Sequence, residues 1–277
     1  MKRPNTCTNL TKAIGRIANG VDPVRLARAM GNVIVGQIIP DGVVKGGSSL
    51  MFRYGDNCTR YTRDIDTARV MEFEAYYEKL SAALKEGWNG FTGEIAEVEP
   101  PQPEGVPKAY VMLPLDIKLK YLGKPWQTIR IEIGHNEIGD ADEYDEYLPE
   151  TLAKVFEELS FPVPKPLPLM KLAYQIAQKL HAVSEEGSAR AHDLIDLQLI
   201  ALHSELDFAD IKSKCLRLFK YRRAQAWPPT ITKGADWDAV YDKARATLRD
   251  ATGVLESVDD AVVWANELIE KINNAKE

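Results

Sequence analysis

The 277-residue sequence predicts an α+β protein, with a mixed-sheet N-terminal domain over residues 1–160 and an all-helical domain over 161–277. Three observations carry the prediction. Segments that alternate apolar and polar residues with period two occur only in the first half, interleaved with helical stretches. Beyond residue 170 every apolar pattern has helical spacing. Between them lies FPVPKPLPL at 161–169, whose spaced prolines favour a short stiff connector.

Taken in order, the N-terminus MKRPNTCTNLTKAIGRIANG has two basic residues but no apolar run behind them, so it does not read as a secretory leader. PVRLARAMGNVIVGQI, Pro23 to Ile38, has helical apolar spacing with a proline suited to the first turn. Pro40–Asp41–Gly42 is a turn signal, and Val43–Val44 leads into Lys45–Gly46–Gly47. Ser48 is placed to cap a short helix through Leu50, Met51 and Phe52 that Gly55 ends. After the polar loop DNCTRYTR, residues 64–70 (DIDTARV) read as a strand, and MEFEAYYEKLSAALK, 71–85, as an amphipathic helix.

From Phe91 to Gly134 the pattern becomes strand and turn. VEPPQPEGVPK is a proline-rich loop. Leu115, Ile117, Leu119 and Tyr121 then alternate with Asp116, Lys118 and Lys120, and Ile129, Ile131 and Ile133 share one face of WQTIRIEIG. Gly123–Lys124–Pro125 joins the two as an antiparallel hairpin. In the second half, Met170–Val183, His192–Leu202, Asp207–Phe219, Asp236–Leu248 and Val258–Asn274 are the expected helices.

Composition narrows the class of partner. A formal net charge of −6 argues against a generally basic nucleic-acid coat while leaving room for a local basic patch. Cys7, Cys58 and Cys215 are odd in number and lack CxxC or Cys/His ligand spacing, which suits a reducing cytoplasm and neither a disulfide framework nor structural zinc. No apolar stretch approaches the length of a membrane span, so a membrane partner is not expected.

Asp64 and Asp66 are the first chemical candidates. Two residues apart on a strand, they leave the same face. Carboxylates that close repel unless a cation lies between them, and Mg²⁺ takes one or two protein carboxylates and fills its shell with water and phosphate oxygens. A pair of such ions would stabilise both oxygens of a phosphoryl displacement. An Asp-x-Asp occurs about once by chance in a chain this acidic, on a solvated surface, so context has to decide.

That context is Gly46–Gly47–Ser48 at the opening of a helix. Glycines let backbone approach a phosphate, and a helix N-terminus offers N–H groups to an anion. The lysine precedes the glycines, so this is no Walker A loop. For a third carboxylate, Glu132 is preferred over Asp116; each lies opposite its strand's apolar face.

Lys179 shares a helix face with Leu172, Ile176 and Val183, so its ammonium must either snorkel outward or meet an anion. Arg190, Asp193 and Asp196 follow at i, i+3 and i+6. They read either as a helix ion pair or as groups that fix a nucleotide or the lysine. In KSKCLRLFKYRRAQAW, Lys214, Arg217, Lys220, Arg222 and Arg223 alternate with Phe219, Tyr221 and Trp227. Both an RNA-tracking surface and an amphipathic helix with solvated charges fit that pattern. Arg60 and Arg63 are further candidates for a triphosphate or acceptor, and the four histidines receive no ligand role.

The ordered set KGGSSLMFRYG, TRDIDTA, LAYQIAQKLHAV and RAHDLIDL resembles the AbiEii-type nucleotidyltransferase toxins of the DNA polymerase β-like superfamily, which include the mycobacterial MenT toxins. The resemblance covers roughly residues 25 to 200. It implies a Mg²⁺-dependent enzyme in which Asp64, Asp66, Lys179 and Asp193 are catalytic. Gly46, Gly47, Ser48, Arg63 and Arg190 would bind the NTP, and Asp64, Asp66 and Glu132 the metal, with two ions possible. It further implies a cytoplasmic toxin that transfers a nucleotide to an acceptor hydroxyl, foremost the 3′ end of tRNA, with an AbiEi-like antitoxin from the adjacent gene as partner and the helical domain completing the nucleotide site. Transfer to a protein hydroxyl, such as one on the antitoxin, and a non-catalytic nucleotide-binding module are the rival readings.

Overall fold

The computed structural model describes residues 2–100 and 111–276. They form α1 (Cys7–Ile17), α2 (Pro23–Ile38), β1 (Gly42–Lys45), α3 (Gly46–Tyr54), β2 (Ile65–Arg69), α4 (Phe73–Glu86), β3 (Phe91–Glu97), β4 (Leu113–Tyr121), β5 (Lys124–His135), β6 (Tyr144–Tyr147), α5 (Glu150–Glu158) and β7 (Leu167–Met170). Five helices follow: α6 (Leu172–Val183), α7 (His192–His203), α8 (Phe208–Arg222), α9 (Trp237–Arg245) and α10 (Val258–Asn273). Of the proline-rich loop expected over VEPPQPEGVPK, Pro101 onward lies outside the described residues.

Two compact units emerge. The first comprises Met1–Gly55, Thr62–Asn136 and Ala141–Leu169; the second Asp56–Tyr61, Glu137–Asp140 and Met170–Glu277. The first is built on a seven-stranded mixed sheet of order β3-β4-β5-β2-β1-β7-β6. β2 runs antiparallel to β1 and parallel to β5, and β1 runs parallel to β7. Ile65, Leu115, Ile117, Leu119, Ile129, Ile131 and Ile133 join the buried core with residues of α1, α2, α4 and α5, so this face of the sheet is apolar. Side chains alternate along a strand, which leaves the opposite face to Asp66, Asp116, Arg130 and Glu132.

Local chemistry explains the element ends. Asp22 caps α2 by accepting from the Val24 N–H, with Pro23 in the first turn. The β4–β5 hairpin turns at Leu122–Gly123, both with positive φ (49° and 75°), and Lys124 already pairs with Tyr121. The turn therefore falls one residue earlier than expected, because the two central positions of such a tight turn need left-handed backbone.

Three further expectations are corrected. α3 starts at Gly46, so Ser48 lies inside the helix and caps nothing; Lys45 is the N-cap residue and makes no side-chain capping bond. β2 begins at Ile65, leaving Asp64 just before it. The proline-spaced segment is not only a connector, since Leu167–Met170 pairs with β1 as β7.

In the second unit, α6 packs on α8 and α7, and α7 on α9 and α10. Leu180, Leu194, Ile195, Leu197, Leu218, Phe219, Tyr241 and Ile269 are buried there. Ser257 caps α10 through the Asp260 N–H, and Asp207 caps α8.

Candidate active site

In the first unit the chemistry gathers on the polar face around β1, β2 and β5. Asp66 is the registered partner of Lys45 on β1 and of Glu132 on β5. Registered residues project from the same face with Cβ atoms about 5 Å apart, so Lys45, Asp66 and Glu132 form a row across three strands. Asp64, two residues before Asp66, lies at the mouth of β2. Its carbonyl accepts from Ser48 Oγ at 2.5 Å and Thr62 Oγ1 at 3.3 Å, which ties α3 to the start of the strand.

Gly46 has φ +63°, and the Asp66 carboxylate oxygen Oδ2 occupies the space a Cβ on Gly46 would need. Glycine is thus required twice at this position, for its left-handed backbone and for the missing side chain. Gly47 and Ser48 are buried behind it. Lys45 gives α3 no side-chain cap, and the N–H groups that open a helix suit an anion.

Asp116 and Glu132 separate clearly. Asp116 is paired with Arg130 at 2.6 Å, whereas Glu132 neighbours Asp66 across the strands. The hydrogen bond from Arg130 to Asp116, followed by the charges of Asp116, Asp64 and Glu132, raises the Arg130 pKa against the opposing effect of burial. Arg130 therefore sits within the electrostatic reach of both Asp64 and Glu132.

Among the described residues, no three His, Cys, Asp or Glu side chains converge closely enough to make a metal site. The donor chemistry nevertheless fits Mg²⁺. Asp66 and Glu132 are hard oxygen donors on neighbouring strands, and Mg²⁺ is held by one or two carboxylates with water and phosphate oxygens completing its octahedron.

Lys45 went unnoticed in the sequence except as a residue on the wrong side of the glycines for a P-loop. Its side chain reaches toward β5: the position of a Cβ on Gly134 is 3.0 Å from Lys45 Nζ. Strand register, which places Lys45 beside Asp66, is the signal that finds it.

The second unit holds a different cluster. Lys179 Nζ donates to Asp193 Oδ1 at 2.8 Å and to Asp196 Oδ2 at 2.6 Å, with all three side chains buried. The half-exposed Arg190 donates to the other oxygen of Asp193 at 2.7 Å. Arg60 grips Asp196 with two nitrogens, at 2.8 and 2.9 Å. Of the alternatives open to Lys179, meeting an anion is the one realised. Burial disfavours ionisation of both aspartates, yet Lys179 and Arg190 hold Asp193, and Arg60 and Lys179 hold Asp196, below the usual carboxylate range. Burial also lowers the neighbouring His192 to about 4.

The basic helix α8 divides its charges. Ile211, Cys215, Leu218 and Phe219 face inward. Lys214 pairs with Asp210, Arg217 donates to the Ile138 carbonyl and Arg222 grips Glu137 at 2.6 Å. Lys220, Tyr221 and Arg223 remain exposed, while Trp227 packs on Phe219 and bonds Asn273. Arg63, in the first unit, is exposed. No described helix is long and apolar enough to cross a membrane.

A family model described as "Nucleotidyl transferase AbiEii toxin, Type IV TA system" matches residues 38–264, a span that takes in both clusters. Among solved structures the chain is similar to MenT4, a nucleotidyltransferase toxin from Mycobacterium tuberculosis H37Rv, at 19% identity over 97% of this chain and 98% of that one, with a TM-score of 0.51. JHP933 from Helicobacter pylori aligns at 16% identity over 91% and 93% of the two chains, with a TM-score of 0.47. Comparison with curated proteins gives no match.

Proposed function

The chain belongs to the AbiEii family of nucleotidyltransferase toxins from type IV toxin–antitoxin systems, and on that premise we propose that it moves a nucleotide from an NTP to the 3′ hydroxyl of a tRNA in a Mg²⁺-dependent reaction. The observation that carries the reading is the registered row Lys45–Asp66–Glu132 with Gly46 closed against the Asp66 carboxylate.

Asp64, Asp66 and Glu132 are the residues that would hold Mg²⁺, as one ion or two, with one or two of the carboxylates to each ion. When bound, the metal supplies positive charge against the triphosphate and the developing transition state. The α3 N-terminus at Gly46–Gly47 offers backbone N–H groups to the triphosphate. Ser48 donates to Asp64 and so orients the acidic row. A carboxylate of that row takes the proton of the attacking hydroxyl. Catalysis rests on positioning and charge neutralisation, as is general for phosphoryl transfer. In the second unit, Arg190 is the accessible cation of its cluster and is assigned to nucleotide phosphate. Lys179 and Asp193 are assigned the upkeep of that cluster.

Exposed Lys220, Tyr221 and Arg223 support a role for α8 in RNA contact, and the type IV family supports an AbiEi-like antitoxin as the partner. The cytoplasm, where both NTPs and tRNA occur, is the proposed place of action. Incubating the protein and Mg²⁺ with each α-³²P-labelled NTP and total tRNA should label RNA. Label on protein alone would move the acceptor to a protein hydroxyl. No label on either, or full activity in Asp64→Ala, would sink the proposal.

A further inference from the structure

We propose that Lys45 is a substrate-binding residue of this site, holding the β- and γ-phosphates of the NTP and neutralising pyrophosphate as it leaves. The inference rests on the placement of the reaction at Asp64, Asp66 and Glu132 and goes beyond it by naming the group that meets the leaving side of the triphosphate.

Lys45 ends β1 in register with Asp66, and the next residue opens α3. It thus stands on the face of the sheet that carries the carboxylates, at the helix N-terminus suited to an anion. Its side chain is only partly exposed. A lysine whose task was to balance Asp66 and Glu132 would be hydrogen-bonded to one of them. Among the described residues Lys45 makes no such bond and no ion pair. Its ammonium lies instead over Gly134, where the absence of a side chain leaves room: a Cβ there would stand 3.0 Å from Nζ and 2.9 Å from Met112 Sδ. A partly desolvated ammonium without an internal acceptor, beside a row of carboxylates, is a group suited to an incoming polyanion.

The chemistry asked of it balances. The acceptor oxygen forms a bond to the α-phosphorus, and the bond from the α-phosphorus to the bridging oxygen breaks. The electron pair stays on that oxygen of pyrophosphate, the acceptor proton goes to a site carboxylate, and the Lys45 ammonium donates a hydrogen bond to the departing anion.

The test is equilibrium binding of each of the four Mg–NTPs and the matching nucleoside monophosphates, by titration calorimetry, to wild type, Lys45→Met, Lys45→Arg and Asp66→Asn. Thermal unfolding would confirm that each variant folds. Wild type should prefer triphosphate to monophosphate. Lys45→Met should lose about ten- to a hundredfold in NTP affinity, the worth of one charge-assisted contact, while its monophosphate affinity holds. Lys45→Arg, which keeps the charge, should recover part of the loss. If Asp66→Asn perturbs NTP binding but Lys45→Met matches wild type, the Lys45 proposal fails and the site stands. If wild type binds no NTP, or Asp66→Asn binds as wild type does, the site assignment falls and Lys45 falls with it. A folded Lys45→Met that loses triphosphate and monophosphate affinity alike also overturns the assignment, because a contact to the β- and γ-phosphates cannot act on a monophosphate.

Discussion

Asp66 Oδ2 lies against Gly46 in the space any side chain at that position would fill. The helix that offers N–H groups to an anion and the carboxylate that would meet a metal are thereby in direct contact. Gly46→Ala must move Asp66 or the start of α3, and alanine disfavours φ +63° as well. Transfer activity should fall at least about a hundredfold, since small misplacements at a phosphoryl-transfer site carry costs of that size. Stability should drop by about 1–2 kcal/mol. Urea unfolding together with label transfer measures both, and a fully active Gly46→Ala would refute the close fit.

Glu132→Gln and Asp116→Asn separate two carboxylates that resemble each other in sequence. Glu132 neighbours Asp66, whereas Asp116 is committed to Arg130. Glu132→Gln should raise the Mg²⁺ concentration needed for half-maximal transfer severalfold, and Asp116→Asn should leave it within about twofold, the scale of a partly exposed ion pair. A magnesium titration of each variant decides; the opposite ranking would make Asp116 the metal ligand.

Arg60→Lys keeps the charge but cannot grip both oxygens of Asp196. Because Asp196 is buried, the variant should lose about 1–3 kcal/mol, and Arg60→Ala more, about 3–5 kcal/mol. Denaturant unfolding reads both. Combined with Asp196→Asn, the effects should be clearly non-additive.

Acid should loosen the second unit before it protonates the buried aspartates. Burial lowers His181 and His192 from 6.5 to about 4, so both are neutral in the fold. Between those values the unfolded chain takes up protons that the folded chain refuses, and stability falls as pH drops from 6.5 toward 4. Each histidine contributes at most about 3 kcal/mol to that fall. Asp193 and Asp196 have depressed folded values, so their contribution is present above the ordinary carboxylate range and is lost only below about pH 4. Unfolding free energy measured from pH 8 to 4 should bend near 6.5, and His181→Gln should flatten part of the slope.

Much of the fold was legible because the chain marks it locally. Pro23 and the capping Asp22 set α2 to its observed bounds, and helical periodicity found α6 to α10 to within a few residues. Two helices escaped despite local marks: α1 has the cap Thr6 and buried Leu10, Ala13 and Ile14 at helical spacing, and α5 buries Leu152 and Phe156 four residues apart. Two strands lack such marks: β6 is short and charged (YDEY), and β7 contains Pro168 and pairs with a strand more than a hundred residues earlier. The candidate site divides along the same line. Alternation tells which side of its strand Glu132 takes, but its position beside Asp66, and that of Lys45 on the other side, depends on register between distant strands. Local pattern carries no such information.

The pairing of β1 with β7 also bears on how the protein is made. β1 has left the ribosome long before Leu169, its partner on the second edge, has been synthesised. During that interval the strand that leads into Gly46 has an open side, the kind of edge on which nascent chains mispair. A chain halted within the proline-spaced segment would keep that edge open, and codon-level delay there should lower the yield of folded protein even though no residue of the candidate site is altered.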